Sequence, residues 1–278
     1  MKKSVNAWTI PADVGFRDMF AVISSAGFDG IELNLDAPGR SNHSLGMDTQ
    51  EEILADIRKF SSEYDLKVAG ISTSLSAGML GSDEKATREA GKDLIRKQIE
   101  LASKLGTDAI LIAPGAKAGE TSFVKAYENV SAALYEMKPE IMAEKVSVCL
   151  ENVWNGFFLS PLDMSGMIDR LDCPYIKAYF DVGNVAAFSN PEYWIDVLGK
   201  RIGRIHVKDF KRNTGNINSG GVFVGLLEGS INWRRVMASL RAASYESYLT
   251  AELGVMAVSP GFLYSKTSGA LDVILSLD

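Results

Sequence analysis

Four side chains able to ligate a cation stand at the ends of short apolar runs in the C-terminal half of the chain. They are Glu151 in Val148-Cys149-Leu150-Glu151-Asn152, Asp181 in Tyr179-Phe180-Asp181-Val182-Gly183-Asn184, His206 in Arg204-Ile205-His206-Val207-Lys208-Asp209, and Glu252 in Thr250-Ala251-Glu252-Leu253-Gly254. Three carboxylates and one imidazole make an oxygen-rich set. That set suits one divalent ion, Mn²⁺ first and then Mg²⁺, Co²⁺ or Zn²⁺, better than a thiolate site would. Open positions on such an ion accept hydroxyl and carbonyl oxygens of a polyol. Each acid alone also reads as a helix cap or half of an ion pair, and His206, between Ile205 and Val207, as a core histidine. The argument rests on all four arriving in register.

The register comes from a regular alternation of strand and helix patterns. Apolar or β-branched runs at Lys3–Trp8, Gly30–Asn34, Lys67–Ser72, Ala109–Ala113, Val146–Glu151, Ile176–Asp181, Ile202–Val207 and Ser247–Glu252 predict eight strands. Between and after them, helical patterns run over 13–26, 49–64, 84–105, 121–144, 161–170, 191–198, 231–243 and 260–276. In the third, Ala90, Leu94, Ile95, Ile99, Ala102 and Leu105 fall at helical spacing. Gly27 and Gly106 sit where helices must close, and Pro161 and Pro191 where helices open. Eight β-α units predict an α/β fold, a single-domain (β/α)8 TIM barrel over 1–278, in which active-site residues stand at the C-terminal ends of strands. No Gly-x-Gly-x-x-Gly follows the first strand, so a dinucleotide fold has no support. The long polar connection Lys208–Ser230 would lie on the catalytic face.

Composition narrows the function classes. The 278 residues carry a net charge of −6, which argues against a nucleic-acid surface. Cys149 and Cys173 make no Cys-x-x-Cys pair, and Cys149 lies in an apolar run, so a reduced, cytoplasmic setting is expected. No apolar stretch suits a signal peptide or a membrane span. Barrels of this kind commonly form homo-oligomers, but no sequence feature fixes the number.

The order and spacing of these motifs resemble the xylose-isomerase-like sugar isomerase/epimerase superfamily over nearly the whole chain. The matching pieces are Gly27-Phe28-Asp29-Gly30-Ile31-Glu32-Leu33, Glu151-Asn152, Phe180-Asp181-Val182-Gly183-Asn184, His206-Val207-Lys208-Asp209, Ala251-Glu252-Leu253 and Leu227-Glu228-Gly229-Ser230-Ile231-Asn232-Trp233. The resemblance implies that Glu151, Asp181, His206 and Glu252 hold the metal. It also implies that Glu151 and Glu252 face opposite sides of a sugar and pass a proton next to its carbonyl through an enediolate. Asn184 stands where many free-ketose epimerases carry His, which is closer to the ribulose- and hexulose-phosphate epimerase/isomerase branch. Leu227 stands where the family usually has Gly.

The expected ligand is a small sugar or sugar phosphate. Lys208 would point the same way as His206 in a continuing strand and, with Lys117, Lys211 and Arg212, is a candidate phosphate donor. Glu32, Asn6 and Trp8 at strand ends, together with Asn184, Asp209 and Glu228, are candidate substrate contacts; Glu32 equally reads as pinning a ligand or forming a structural pair, Ser72 is a further candidate, and Trp154 could wall the site. His43, in the polar loop Arg40-Ser41-Asn42-His43-Ser44, is expected to be exposed. Two other chemistries share the fold: an inosose-dehydratase-like lyase using the same metal and acids, and an endonuclease IV-like nuclease. The nuclease would need a histidine-rich multi-zinc site, and this chain has two histidines. A sugar-binding barrel without catalysis would not need two opposed glutamates.

Overall fold

The computed structural model describes residues 1–213 and 220–278. Eight strands pair in parallel and close on themselves in the order β1-β10-β7-β6-β5-β4-β3-β2. They are β1 (Lys2–Asn6), β2 (Gly30–Asn34), β3 (Lys67–Ser72), β4 (Ala109–Ile112), β5 (Ser147–Glu151), β6 (Ile176–Asp181), β7 (Ile202–Val207) and β10 (Tyr248–Ala251). The predicted helices are present as α1 (Phe16–Ser25), α2 (Glu51–Glu63), α3 (Lys85–Leu105), α4 (Phe123–Glu144), α5 (Pro161–Leu171), α7 (Pro191–Leu198), α8 (Trp233–Ala242) and α9 (Pro260–Ser276). Their ends follow local chemistry. Ser160 and Asp163 form a reciprocal capping box at α5, and Gly106, at φ +72°, closes α3. Among the described residues no helix is long and apolar enough to cross a membrane.

Strand periodicity divides the barrel wall into two faces. Outward residues such as Ile31, Leu33, Ile71, Ile110, Val148, Phe180 and Ile205 are buried in the main core. The inside holds a small apolar cluster of Ala109, Leu111, Cys149 and Tyr179. Around and above that cluster it is polar, with Ser4, Asn6, Glu32, Ser72, Asp181, His206 and Thr250 all buried. Two register shifts interrupt the ladders, between Ile31 and Glu32 on β2 and between Ala178 and Tyr179 on β6. The residues skipped on the partner strands are Ala69 and Gly203. Arg204 donates to both of their carbonyls, each at 3.0 Å, and also pairs with Asp108. Its buried guanidinium thus satisfies the backbone groups that the irregularities release.

Three features depart from the sequence expectation. The first strand ends at Asn6, not Trp8, because the Asn6 Oδ1 accepts from Trp8 N at 2.8 Å and turns the chain into a 3₁₀ turn over Ala7–Thr9. A short helix, α6 (Val182–Ala186), follows β6 with Asp181 as its cap. The connection read as a polar loop over Lys208–Ser230 contains an antiparallel hairpin of β8 (Asp209–Arg212) and β9 (Gly221–Val224), and its residues 214–219 lie outside those described.

Asp209 anchors that hairpin and the segment behind it. Its fully buried carboxylate accepts from Phe210 N at 2.8 Å, Leu227 N at 3.0 Å and Trp233 Nε1 at 2.9 Å. Gly229 passes so close that a Cβ there would collide with this carboxylate. Leu227 takes φ +71°, the left-handed conformation that favours glycine. Leucine holds it here with its N–H tied to Asp209. Asp209→Ala would leave three donors, two of them buried, without their acceptor. It should lower the unfolding free energy in urea by about 3 kcal/mol; a loss below about 1 kcal/mol would show that something else fixes the segment.

Candidate metal and active site

The four expected ligands converge at the C-terminal mouth of the barrel. One ligand-type atom from each of Glu151, Asp181, His206 and Glu252 lies within 4.8 Å of the others. Glu151 and Asp181 are the last residues of β5 and β6, His206 is the penultimate residue of β7, and Glu252 directly follows β10. Asp181 is level with His206, and His206 with Thr250, so the closed ladder delivers the side chains to one rim. Asn152 secures the spacing of two of them. Its Nδ2 donates to Asp181 O at 2.9 Å and its Oδ1 accepts from Asp181 N at 2.8 Å.

His206 is aimed by Glu32. The Glu32 Oε1 lies 2.8 Å from His206 Nε2, which turns Nδ1 toward the acids, 3.1 Å from Glu252 Oε2, 3.3 Å from Glu151 Oε1 and 4.0 Å from Asp181 Oδ2. Glu32 Oε1 also accepts from Asn6 Nδ2 at 2.5 Å and from the Ser72 hydroxyl, and its Oε2 from the Tyr179 hydroxyl. A carboxylate on one ring nitrogen fixes the tautomer and leaves the other nitrogen for a metal.

Charge is uneven across the cluster. Burial pushes the Glu151 carboxyl up to about 7, helped by the Glu252 charge and opposed by His206. Burial also raises Asp181, against the pull of the Lys208 ammonium. Burial works against the Glu252 charge too, but His206 and Lys208 outweigh it and hold Glu252 well below the usual carboxylate range. His206 is raised far above its ordinary value, because Glu32 and Glu252 overcome the burial that would lower it.

The donor set fits a divalent ion. Asp181 spends Oδ1 on Asn184 N at 2.6 Å, whereas Oδ2, buried and facing the cluster, accepts no well-aligned hydrogen bond although Lys208 Nζ lies 3.0 Å away. Lys208 Nζ also lies 2.7 Å from Glu252 Oε2. The ammonium therefore rests between two acids of the cluster. An underused buried oxygen beside two carboxylates and an oriented imidazole is what a hard, oxygen-preferring cation with one nitrogen ligand would use.

The remaining predicted residues divide into two groups. Trp8, Lys208, Glu228 and Glu252 line a cavity of about 590 Å³ beside the cluster, between the segments that follow β7 and β10. The others do not. Asn6 and Glu32 lie fully buried inside the barrel as supports of His206, and Ser72 belongs with them. Asn184 ties Asn152 O through Nδ2 at 3.1 Å, and its carbonyl accepts from Trp154 Nε1 at 2.8 Å. Asp209, expected as a substrate contact, is consumed by the hairpin. Arg212, expected as a phosphate donor, is bound to the carbonyls of Ala186 and Ser189 and to Asn190 Oδ1, and Lys117 and Lys211 are exposed.

His43 reverses its expectation. It is 3% exposed, with Nδ1 2.8 Å from Val14 O and Nε2 3.2 Å from Ala7 O, because the polar loop folds back over the first strand's exit. Sequence reasoning missed Tyr179 and Arg204. Tyr179 is two residues before Asp181 and so shares its inward face, a signal that period-two counting contains.

If Glu32 orients His206, Glu32→Gln should weaken divalent-metal binding by roughly 10- to 100-fold in a calorimetric titration while circular dichroism still reports a folded barrel. Unchanged affinity would show that the imidazole is aimed by something else.

Comparison with known proteins agrees with this architecture. A curated L-ribulose-5-phosphate 3-epimerase, UlaE of Escherichia coli (strain ATCC 8739), is 24% identical over 240 residues, covering 85% of this chain and 81% of its own. The solved structure of an L-ribulose 3-epimerase superposes with a TM-score of 0.78 at 19% identity, over 99% of this chain and 94% of that one. The IOLI protein, described with a bound zinc atom, superposes at 0.80 with 14% identity, over 99% and 98%. At these identities the two structures speak for the fold alone. The model of the xylose isomerase-like TIM barrel matches residues 20–268, and the chain belongs to that family.

Proposed function

We propose that the chain, acting as one barrel over residues 1–278, is a divalent-metal-dependent isomerase that moves a proton next to the carbonyl of a ketose or ketose phosphate. The carrying observation is the convergence of three carboxylates and a pre-aimed imidazole within 4.8 Å at the barrel mouth. Relatives named as sugar epimerases support the reaction class. Glu151, Asp181, His206 and Glu252 would hold the ion, with Mn²⁺ the first choice for so oxygen-rich a set. When bound, the ion supplies Lewis acidity that lowers the pKa of the C–H between two substrate oxygens.

The chain's own groups carry the proton. Glu151 and Glu252 approach the site from β5 and from the end of β10, on either side of β6 and β7 in the barrel order. Two carboxylates at separate positions can take a proton from one face of a carbon and return one to the other, which inverts it. Their surroundings differ. Burial favours the protonated form of Glu151, and the neighbouring cations favour the ionised form of Glu252. The glutamate that removes the proton in one direction delivers it in the reverse. Return of the proton to the adjacent carbon would give aldose–ketose isomerisation.

Glu151→Gln and Glu252→Gln should each reduce turnover by at least about 10³-fold with the fold retained. Activity within tenfold of the parent in either variant would rule out the two-glutamate mechanism. Chelation should abolish turnover and Mn²⁺ should restore it, whereas full activity of thoroughly stripped protein would remove the metal from the reaction. The reaction class is tested by proton NMR of the Mn²⁺-loaded protein with ketoses and ketose phosphates in D₂O. Deuterium beside the carbonyl with an epimer or isomer supports it, and exchange accompanied by loss of water replaces it with a dehydratase.

A further inference from the structure

The cavity beside the cluster is too large and too apolar for a single ketose. It occupies about 590 Å³, within the range that holds drug-sized ligands. Among the described residues it reaches the cluster through Glu252 and Lys208, then runs outward between the β9 segment and α9. Its walls are Phe223, Leu226, Leu253, Met256 and Leu263. A sugar whose reacting carbon sits at the cluster would leave most of this space to water against apolar side chains.

In (β/α)8 barrels the segments after strands seven and eight commonly form a phosphate site at a helix N-terminus. This cavity lies at that place and is built differently. α9 presents its side, through Leu263, Lys266, Thr267 and Ala270, rather than the start of the helix. Both lysines in the lining are already paired, Lys208 with Glu252 at 2.7 Å and with Asp181 at 3.0 Å, and Lys266 with Glu228 at 2.7 Å. Glu228 also accepts from Gly225 N at 3.2 Å, which holds its carboxylate at the far end. The four charged residues of the lining therefore balance. A phosphate dianion would have to break an existing ion pair and then face the carboxylate it released.

We propose that the cavity binds the distal part of a neutral substrate: a keto sugar carrying a second, uncharged ring in glycosidic linkage, not a phosphate ester. This rests on the sugar isomerase reading and narrows its substrate. The second ring lies against Phe223, which is 45% exposed in the free protein and is backed by Trp154, with ring centroids 5.1 Å apart at 25°. An aromatic face braced from behind offers a flat apolar surface at little entropic cost. Leu253, Met256 and Leu263 supply the rest of the apolar contact. The Glu228–Lys266 pair borders the site with polar groups able to reach ring hydroxyls.

The test needs no chemistry. The Mn²⁺-loaded full chain is titrated calorimetrically with phenyl and methyl glucosides, and with glucose and glucose 6-phosphate. The phenyl glycoside should bind at least about tenfold tighter than the methyl glycoside, as burial of an aryl ring implies. Phe223→Ala should bring that ratio close to one, and the phosphate ester should bind no tighter than glucose. A phosphate ester bound about tenfold tighter than its parent sugar would overturn the proposal. So would a phenyl-to-methyl ratio near one in the parent, a ratio indifferent to Phe223→Ala, or failure of both glycosides to bind at millimolar concentration. Because these sugars need not react, glycoside binding that survives a failed exchange experiment would sink the proposed reaction and leave the cavity's specificity standing.

Discussion

A buried carboxylate at the centre of the barrel sets the terms for everything above it. Glu32, on β2, accepts hydrogen bonds from Asn6 on β1, Ser72 on β3, Tyr179 on β6 and His206 on β7. Removing a carboxylate from water costs several kcal/mol unless its oxygens are fully engaged, and here four donors from four strands engage them. The same contacts fix the strands in relation to one another and fix the direction of one imidazole. Both register shifts in the barrel fall at members of this set, at Glu32 and at Tyr179. The extra residues, Ala69 and Gly203, lie on β3 and β7, so the irregularities set which residues of those strands stand level with Glu32 and Tyr179. Arg204 satisfies the carbonyls released on the partner strands.

This arrangement explains why the sequence revealed some parts of the molecule and concealed others. The four ligand-type residues were legible because each stands at the end of its own apolar run, a local pattern that period and position alone can find. The polar inside was not, since Glu32 and Tyr179 are 147 residues apart and meet only once the barrel closes. Asp209 looked like a member of a rim motif. Its side chain instead turns back to Leu227 and Trp233, which a linear reading cannot distinguish from turning toward substrate. His43 misled through its neighbours: Ser41, Asn42 and Ser44 suggest a solvated loop, yet two backbone carbonyls inside the fold take its ring nitrogens. The hairpin after β7 was hidden because Asp209–Arg212 carries only one large apolar residue, Phe210, whose ring packs against Trp154 and Phe223.

Leu227 shows how one departure from a family pattern is accommodated. Glycine adopts positive φ freely, and a side chain there costs roughly 1–2 kcal/mol. The chain retains the conformation because Leu227 N–H has a fixed, charged acceptor in Asp209 and because Gly229, nearby, leaves no Cβ to displace that acceptor. A motif can thus lose its glycine and keep its shape, provided the anchor beneath it is intact.

The charges at the mouth link the support to the chemistry. Glu32, Glu151, Asp181 and Glu252 gather around His206 and Lys208, so that four acidic groups meet two basic ones. Such an excess of acid in a buried place is costly. The shifts relieve it: Glu151 is driven toward its neutral form, and His206 and Lys208 are driven toward their charged forms. If Glu151, Asp181, His206 and Glu252 hold a divalent cation as proposed, its charge would offset the same excess, with Glu151 ionised and the His206 Nδ1 that Glu32 has turned inward as the nitrogen ligand. Lys208 can keep its place beside Asp181 Oδ2 and Glu252 Oε2, because a carboxylate has lone pairs for an ammonium and a cation together. The same Nζ lies 5.5 Å from the centroid of the Phe223 ring. One ammonium thus touches both the acid cluster and the cavity wall, which joins the two electrostatically.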